Sequence, residues 1–170
     1  KDTLNISSTY NNIGNTLLKQ KKYKEAKRWL TTSLKISEMQ SEGSTKVQDT
    51  RFFYQKATLF TNLATIESEL NNFSEAEKLF VKAHDFATKS KSAEKLRDLY
   101  AQRAKFFTKA KKYKLATEDH EKYIKLRDSV FDAKRAKTFA ELEAKYQNEK
   151  KEKELLQVKS KVVERENLIK

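Results

Sequence analysis

The chain has no cysteine, no proline and only two glycines in 170 residues. Without cysteine there are no disulfides and no thiolate metal sites. The lack of proline removes the commonest helix breaker. The glycines, Gly14 and Gly43, stand alone, so no glycine-rich phosphate loop can be drawn. There are two histidines, His84 and His120. Neither has an acidic or histidine neighbour at a spacing that completes a metal site. His120-Glu121 resembles the phosphoacceptor box of histidine kinases but lacks its later proline, and a helix-surface or packed histidine is the simpler reading. No serine lies in a nucleophile elbow. Paired carboxylates such as Glu67 and Glu69 read as solvated helix residues, so no enzyme chemistry, cofactor or metal is expected. No apolar run approaches the ~18 residues of a membrane span. No signal peptide is visible, and the chain starts at Lys1 rather than methionine. A piece of a longer protein is expected, its membrane contact confined to a segment beyond Lys170.

What is present is charge and helix formers. Charged residues make up 36% and the net charge is +13. Abundant Lys, Glu, Ala, Leu and Gln favour helix, so the fold class is all-α. A basic chain suggests nucleic acid, anionic lipid or an acidic partner. The lysines, however, interleave with glutamates, as in Glu149-Lys150-Lys151-Glu152-Lys153-Glu154. Such mixing marks solvated helix faces. A basic nucleic-acid-binding helical protein stays as the alternative function.

Three stretches repeat one pattern: Lys21-Lys22-Tyr23-Lys24-Glu25-Ala26, Asn71-Asn72-Phe73-Ser74-Glu75-Ala76 and Lys111-Lys112-Tyr113-Lys114-Leu115-Ala116. Internal repetition means one supersecondary unit stacked several times. Aligned on Ala26, Ala76 and Ala116, the first unit presents Tyr10, Ile13, Gly14, Leu17, Tyr23, Leu30 and Ser33. The second presents Phe60, Leu63, Ala64, Glu67, Phe73, Phe80 and Ala83. The third presents Tyr100, Arg103, Ala104, Phe107, Tyr113, His120 and Tyr123. Small residues allow close backbone approach, and large ones fill the space between units. His120 thereby takes the large apolar position of its helix.

These positions resemble the tetratricopeptide repeat family, W-x2-L-G-x2-Y, alanine, x3-F, with a period of about 34 residues. Two departures stand out. Glu38, Thr88 and Asp128 replace the closing proline, and the alanines lie 50 and 40 residues apart. The resemblance implies an α-solenoid of about three helix pairs over residues 1–131, with units near 7–40, 57–90 and 97–130. A charged helical linker or coiled-coil stalk follows over 132–170. Helices are expected at about 3–20, 23–41, 46–70, 74–90, 93–110, 113–131 and 133–168. Ser74 with Glu77 forms a capping box, and Gly43 stops the second helix.

In this family the first helix of each unit lines a concave groove. The resemblance places there Ser8, Asn11, Asn15 and Lys19; Thr58, Thr61, Asn62, Thr65 and Glu69; and Asp98, Ala101, Gln102 and Lys105. Amides and hydroxyls can hold the backbone of an extended peptide. Some members clamp a C-terminal carboxylate with two asparagines, lysines and an arginine. Asn15 and Asn62 match, but Asn11, Asp98 and Gln102 replace the charged partners. A neutral or mixed peptide is therefore expected.

In the tail, Phe139, Leu142 and Tyr146 form one short seam. Leu155, Val158, Val162 and Ile169 form another, with Arg165 at an apolar position and a polar stretch, 147–154, between the seams. A helix this polar dimerises as a coiled coil or stands in water. A homodimer through this helix, or a purely structural dimerisation module, is one expectation. Residues 140–152 resemble the linker of Bacteroidetes signalling proteins, in which such repeats precede a sensor histidine kinase core or a helix-turn-helix output domain. That resemblance implies a non-catalytic sensor or scaffold domain of a bacterial two-component protein. Its ligand would be a protein or peptide, its location the extracytoplasmic face of the inner membrane or the cytoplasm, and its signal would leave through the C-terminal helix.

Overall fold

A computed structural model describes residues 3–42 and 50–168. The chain is all-α: α1 Thr3–Lys19, α2 Tyr23–Glu42, α3 Thr50–Glu69, α4 Phe73–Lys89, α5 Ala93–Lys109 and α6 Tyr113–Leu168. The helix stop expected at Gly43 lies outside the described residues. Two compact units are formed, Lys1–Arg127 and Asp128–Lys170. The first holds the pairs α1/α2 and α3/α4, with α5 paired to the opening turns of α6. The second consists of the remainder of α6. That helix is unbroken where two, 113–131 and 133–168, were expected, because nothing in Phe131–Asp132–Ala133 costs enough to interrupt it. Among the described residues no helix is long and apolar enough to cross a membrane.

The recurring stretches are left-handed turns. Lys21, Asn71, Lys91 and Lys111 have φ of 61°, 63°, 52° and 59°. In three of them the chain closes with a pair of bonds: Lys21 N–H to Leu18 O and Lys22 N–H to Leu17 O, repeated by Asn71 and Asn72 on Ser68 and Glu67, and by Lys111 and Lys112 on Thr108 and Phe107. These satisfy the last carbonyls of the preceding helix. Lys91 turns the chain the same way between α4 and α5, a fourth instance that its sequence, Ser90-Lys91-Ser92, conceals. Ser92 caps α5, its Oγ accepting from Lys95 N–H at 3.3 Å. The capping box at Ser74 is not formed. Helix α4 begins one residue earlier, at Phe73, and Asn72 occupies the cap position without a side-chain cap. The Asn72 amide instead donates to Glu67 Oε2 at 2.8 Å.

The core follows the alanine register. Ala26, Ala64, Ala76 and Ala83 are fully buried, as is Leu30. Gly14 lets α1 meet α2: a Cβ there would lie 2.6 Å from Leu30 Cγ, closer than carbon atoms pack. Ser7 and Ser33 make a second close crossing, the Oγ of each donating to the other's carbonyl at 3.1 and 2.7 Å. Phe60 stacks on Phe86 at 5.3 Å and Phe80 packs at a tilt against Phe106 at 5.2 Å, joining α3, α4 and α5 in one cluster.

Among the described residues charge enters this core at three places, one of them Lys56, which is buried and ion-paired to Glu38 at 3.8 Å. Glu67, expected at the surface, is 2% exposed. It is ion-paired to Lys27 at 2.6 Å across the α2–α3 interface. In the third pair, Arg103 stands at the register position of Ile13 and Leu63, and Asp119 at that of Trp29 and Leu79. The guanidinium grips Asp119 through Nε at 2.6 Å and Nη2 at 2.8 Å. His120, expected in the apolar slot, is exposed and lies against Tyr123. Burial at that turn falls on Ala116 and Asp119 instead.

Candidate binding cleft

The first compact unit contains a cleft of about 480 Å³ with walls from four helices. Helix α1 gives Asn15, and α3 gives Thr58, Thr61 and Asn62. Helix α5 gives Lys95, Arg97, Asp98, Ala101 and Gln102, and α6 gives Tyr123 and Arg127. The faces follow from helical periodicity: Thr58, Thr61 and Asn62, or Asp98, Ala101 and Gln102, lie three and four residues apart and share one side of a helix.

The hydroxyls of the threonines are partly committed. Thr58 Oγ1 donates to Tyr54 O at 3.0 Å and Thr61 Oγ1 to Ala57 O at 2.8 Å, leaving only lone pairs for a ligand. Asn62 is different. Its Nδ2 is buried and has no hydrogen-bond partner, a state that costs on the order of 1–3 kcal/mol until an acceptor arrives. Arg97 reaches Asp98 Oδ1 with both Nε, at 2.9 Å, and Nη2, at 2.7 Å. That bond to the carboxylate raises the Arg97 pKa above its ordinary value, so its charge is fixed. Lys95 Nζ lies 4.2 Å over the Tyr54 ring, and the Arg127 guanidinium 6.0 Å over Tyr123.

Of the residues named from the sequence, Asn15, Thr58, Asn62 and Gln102 come together here, with Thr61, Asp98 and Ala101. Asn11, Lys19, Thr65 and Lys105 lie outside the lining, as do Ser8 and Glu69. Asn11 is half-buried on α1 with an unpartnered Oδ1, and Thr65 donates to Thr61 O. Lys19 and Lys105 are exposed. Lys95, Arg97, Tyr123 and Arg127 were not anticipated. Counting groove positions along first helices omits the opening turn of α5 and all of α6.

Residues 7–39 and 57–89 match the tetratricopeptide repeat model. No curated protein and no solved structure matches the chain. The matched segments coincide with α1/α2 and α3/α4. They support a tetratricopeptide repeat domain in an all-α solenoid, and such repeats suggest a protein-interaction module. The third pair lies outside the match, and it is there that Arg103 and Asp119 replace apolar residues of the repeat. The spacing from Ala26 to Ala76 exceeds that from Ala76 to Ala116 by 50 − 40 = 10 residues; α2 and α3, with 20 residues each against 17 in α4 and α5, supply six of them, and the other four fall in 43–49, outside the described residues.

The second compact unit carries the two tail seams. Phe139, Leu142, Tyr146, Leu155 and Val158 are all more than half exposed. The side chain of Val162 and all of Ile169 lie outside the described residues. At 100° per residue, the nine steps from Tyr146 to Leu155 turn the helix by about two and a half revolutions, which leaves the two residues on opposite sides. The seams therefore sit on opposite faces of α6, and one straight partner helix cannot cover both. Among the described residues no group of His, Cys, Asp and Glu could hold a metal ion.

Proposed function

We propose that the cleft binds an extended segment of a partner polypeptide. The observation that carries this reading is the buried, unpartnered Asn62 Nδ2 in a cleft walled by successive first helices. A peptide carbonyl is the acceptor it lacks, and Asn15 and Gln102 offer further amides to a main chain. Tyr123 and Arg127 extend the proposal to signalling. They belong to α6, which continues to Leu168, so a ligand in the cleft touches the same helix that runs on through the second unit. We infer a sensor or scaffold domain of a bacterial two-component protein, on the extracytoplasmic side of the inner membrane, relaying occupancy along α6 to an output domain. The resemblance of the charged segment 140–152 to the linkers of such proteins motivates the two-component reading, and a cytoplasmic location is the alternative.

A photo-cross-linking amino acid at Gln102 tests the cleft in the full-length protein. Adducts are expected there and not from Val81, an exposed residue of α4 outside the cleft. Replacing Asn15 and Asn62 by alanine should suppress them without unfolding the domain. Equal adducts from both positions, or none from Gln102, would refute the assignment.

A further inference from the structure

The third helix pair is fastened differently from the second. Among the described residues α6 buries only Ala116 and Asp119, whereas α4 buries Ala76, Phe80, Ala83 and Ala87. Asp119 holds α6 to α5 through Arg103, at 2.6 and 2.8 Å. A buried ion pair adds little net stability, since desolvation offsets the attraction. The opening turns of α6 therefore rest on a polar clasp.

His84 of α4 stands beside that clasp. Its Nε2 lies 3.2 Å from the Tyr100 hydroxyl. The Tyr100 ring lies in turn against two cations, the Arg103 guanidinium at 5.3 Å and Lys122 Nζ at 5.5 Å. Lys122 is also 3.9 Å from Asp119. The charges that act on His84 are thus Arg103 from α5, Asp119 and Lys122 from α6, and Asp85 beside it on α4. Helix α3 meets α4 through the apolar cluster of Ala57, Phe60, Ala83 and Ala87. Two cations share one buried carboxylate, and a protonated imidazole would be a third. Burial first, and then the Arg103 charge, hold the His84 pKa below its ordinary value of 6.5.

We propose that His84 is a proton-operated release for α6: its protonation adds a third cation to the clasp of Arg103, Asp119 and Lys122 and frees the opening turns of α6 from α4 and α5. With α6 docked, His84 binds its proton more weakly than with α6 released, where the ring regains its ordinary affinity. Docking is therefore fully favoured above about pH 6.5 and weakens as pH falls through the lower pKa of the docked state. Tyr123, one turn beyond Asp119, lines the cleft, so release also removes part of a cleft wall, whatever the cleft binds.

The test uses the full 170-residue chain. Its only other histidine, His120, is exposed, which makes His120→Gln the control. Hydrogen exchange, corrected for the intrinsic effect of pH, is compared in α1 and in residues 116–123 at about pH 7.5 and about pH 5.5. Protection should fall in 116–123 at the lower pH and hold in α1. His84→Gln, which keeps a polar group beside Tyr100, should abolish the fall, and His120→Gln should preserve it. An NMR titration of the unsubstituted chain should place the His84 midpoint below the ordinary histidine value. A fall that persists in His84→Gln, equal protection at both pH values, or a His84 midpoint at or above the ordinary value would overturn the proposal. Loss of protection spread equally over α1 would mean global unfolding and would overturn it too.

Discussion

Arg103 and Asp119 show how one residue pair can depart from a repeat without breaking the fold. In the second pair the same register positions hold Leu63 and Leu79, packed in one apolar cluster. In the third they hold a bidentate ion pair, with Asp119 2% exposed. A buried pair stabilises little in net terms, because desolvation offsets the Coulomb attraction, but losing one partner leaves a charge stranded. Asp119→Ala should therefore lower unfolding free energy by about 3 kcal/mol. Arg103→Leu combined with Asp119→Leu should recover most of it, read as the urea midpoint. A double variant as unstable as the single one would contradict the exchange. Nearby, burial and the Arg103 charge lower the pKa of His84, whose ring lies 3.2 Å from the Tyr100 hydroxyl. The small-residue positions Gly14, Ala26 and Ala76 were legible in the sequence, because close approach tolerates so few side chains. Glu67 was not: its burial depends on Lys27 and Asn72, which reach it from α2 and from the turn before α4.

At the scale of elements, the left-handed turns set the antiparallel pairing. Each places a non-glycine residue at positive φ, which costs on the order of 1–2 kcal/mol for an L-residue in that conformation. Lys111→Gly should stabilise the protein by about 0.5–1 kcal/mol after the greater chain entropy of glycine is counted. Lys111→Val should destabilise it, since a β-branched side chain suits that region least. Thermal melts of the two variants should move in opposite directions, and a drop for Lys111→Gly would contradict the turn assignment. Three of these turns were visible as a repeated string. The fourth, at Lys91, was expected as a break between helices at 74–90 and 93–110, but without the aromatic that follows the others its likeness to them was not visible. Helix ends were readable where a turn fixes them. The continuity of α6 was not, since its polar middle carries neither a breaker nor a core face.

For the whole molecule, the cleft is where partial legibility mattered most. The family resemblance assigned Asn15, Thr58, Asn62 and Gln102 to the groove side of successive first helices, and all four line one cleft. It could not assign Tyr123 and Arg127, because a helix face joins a groove only when the tertiary arrangement leaves it open there. Those two residues link the proposed ligand to the helix that spans both compact units. The opposed seams of α6, Phe139 to Tyr146 and Leu155 to Val158, show that any partners of the second unit approach from different sides. The most direct test is a backbone amide chemical-shift titration of the chain with a peptide cut from the partner cross-linked at Gln102. Shifts are expected to cluster on Asn15, Thr58, Asn62, Gln102 and Tyr123, with Asn62 largest and saturating with one affinity. Shifts confined to exposed positions such as Val81 and Lys78, with Asn62 unmoved, would contradict a binding cleft at this place.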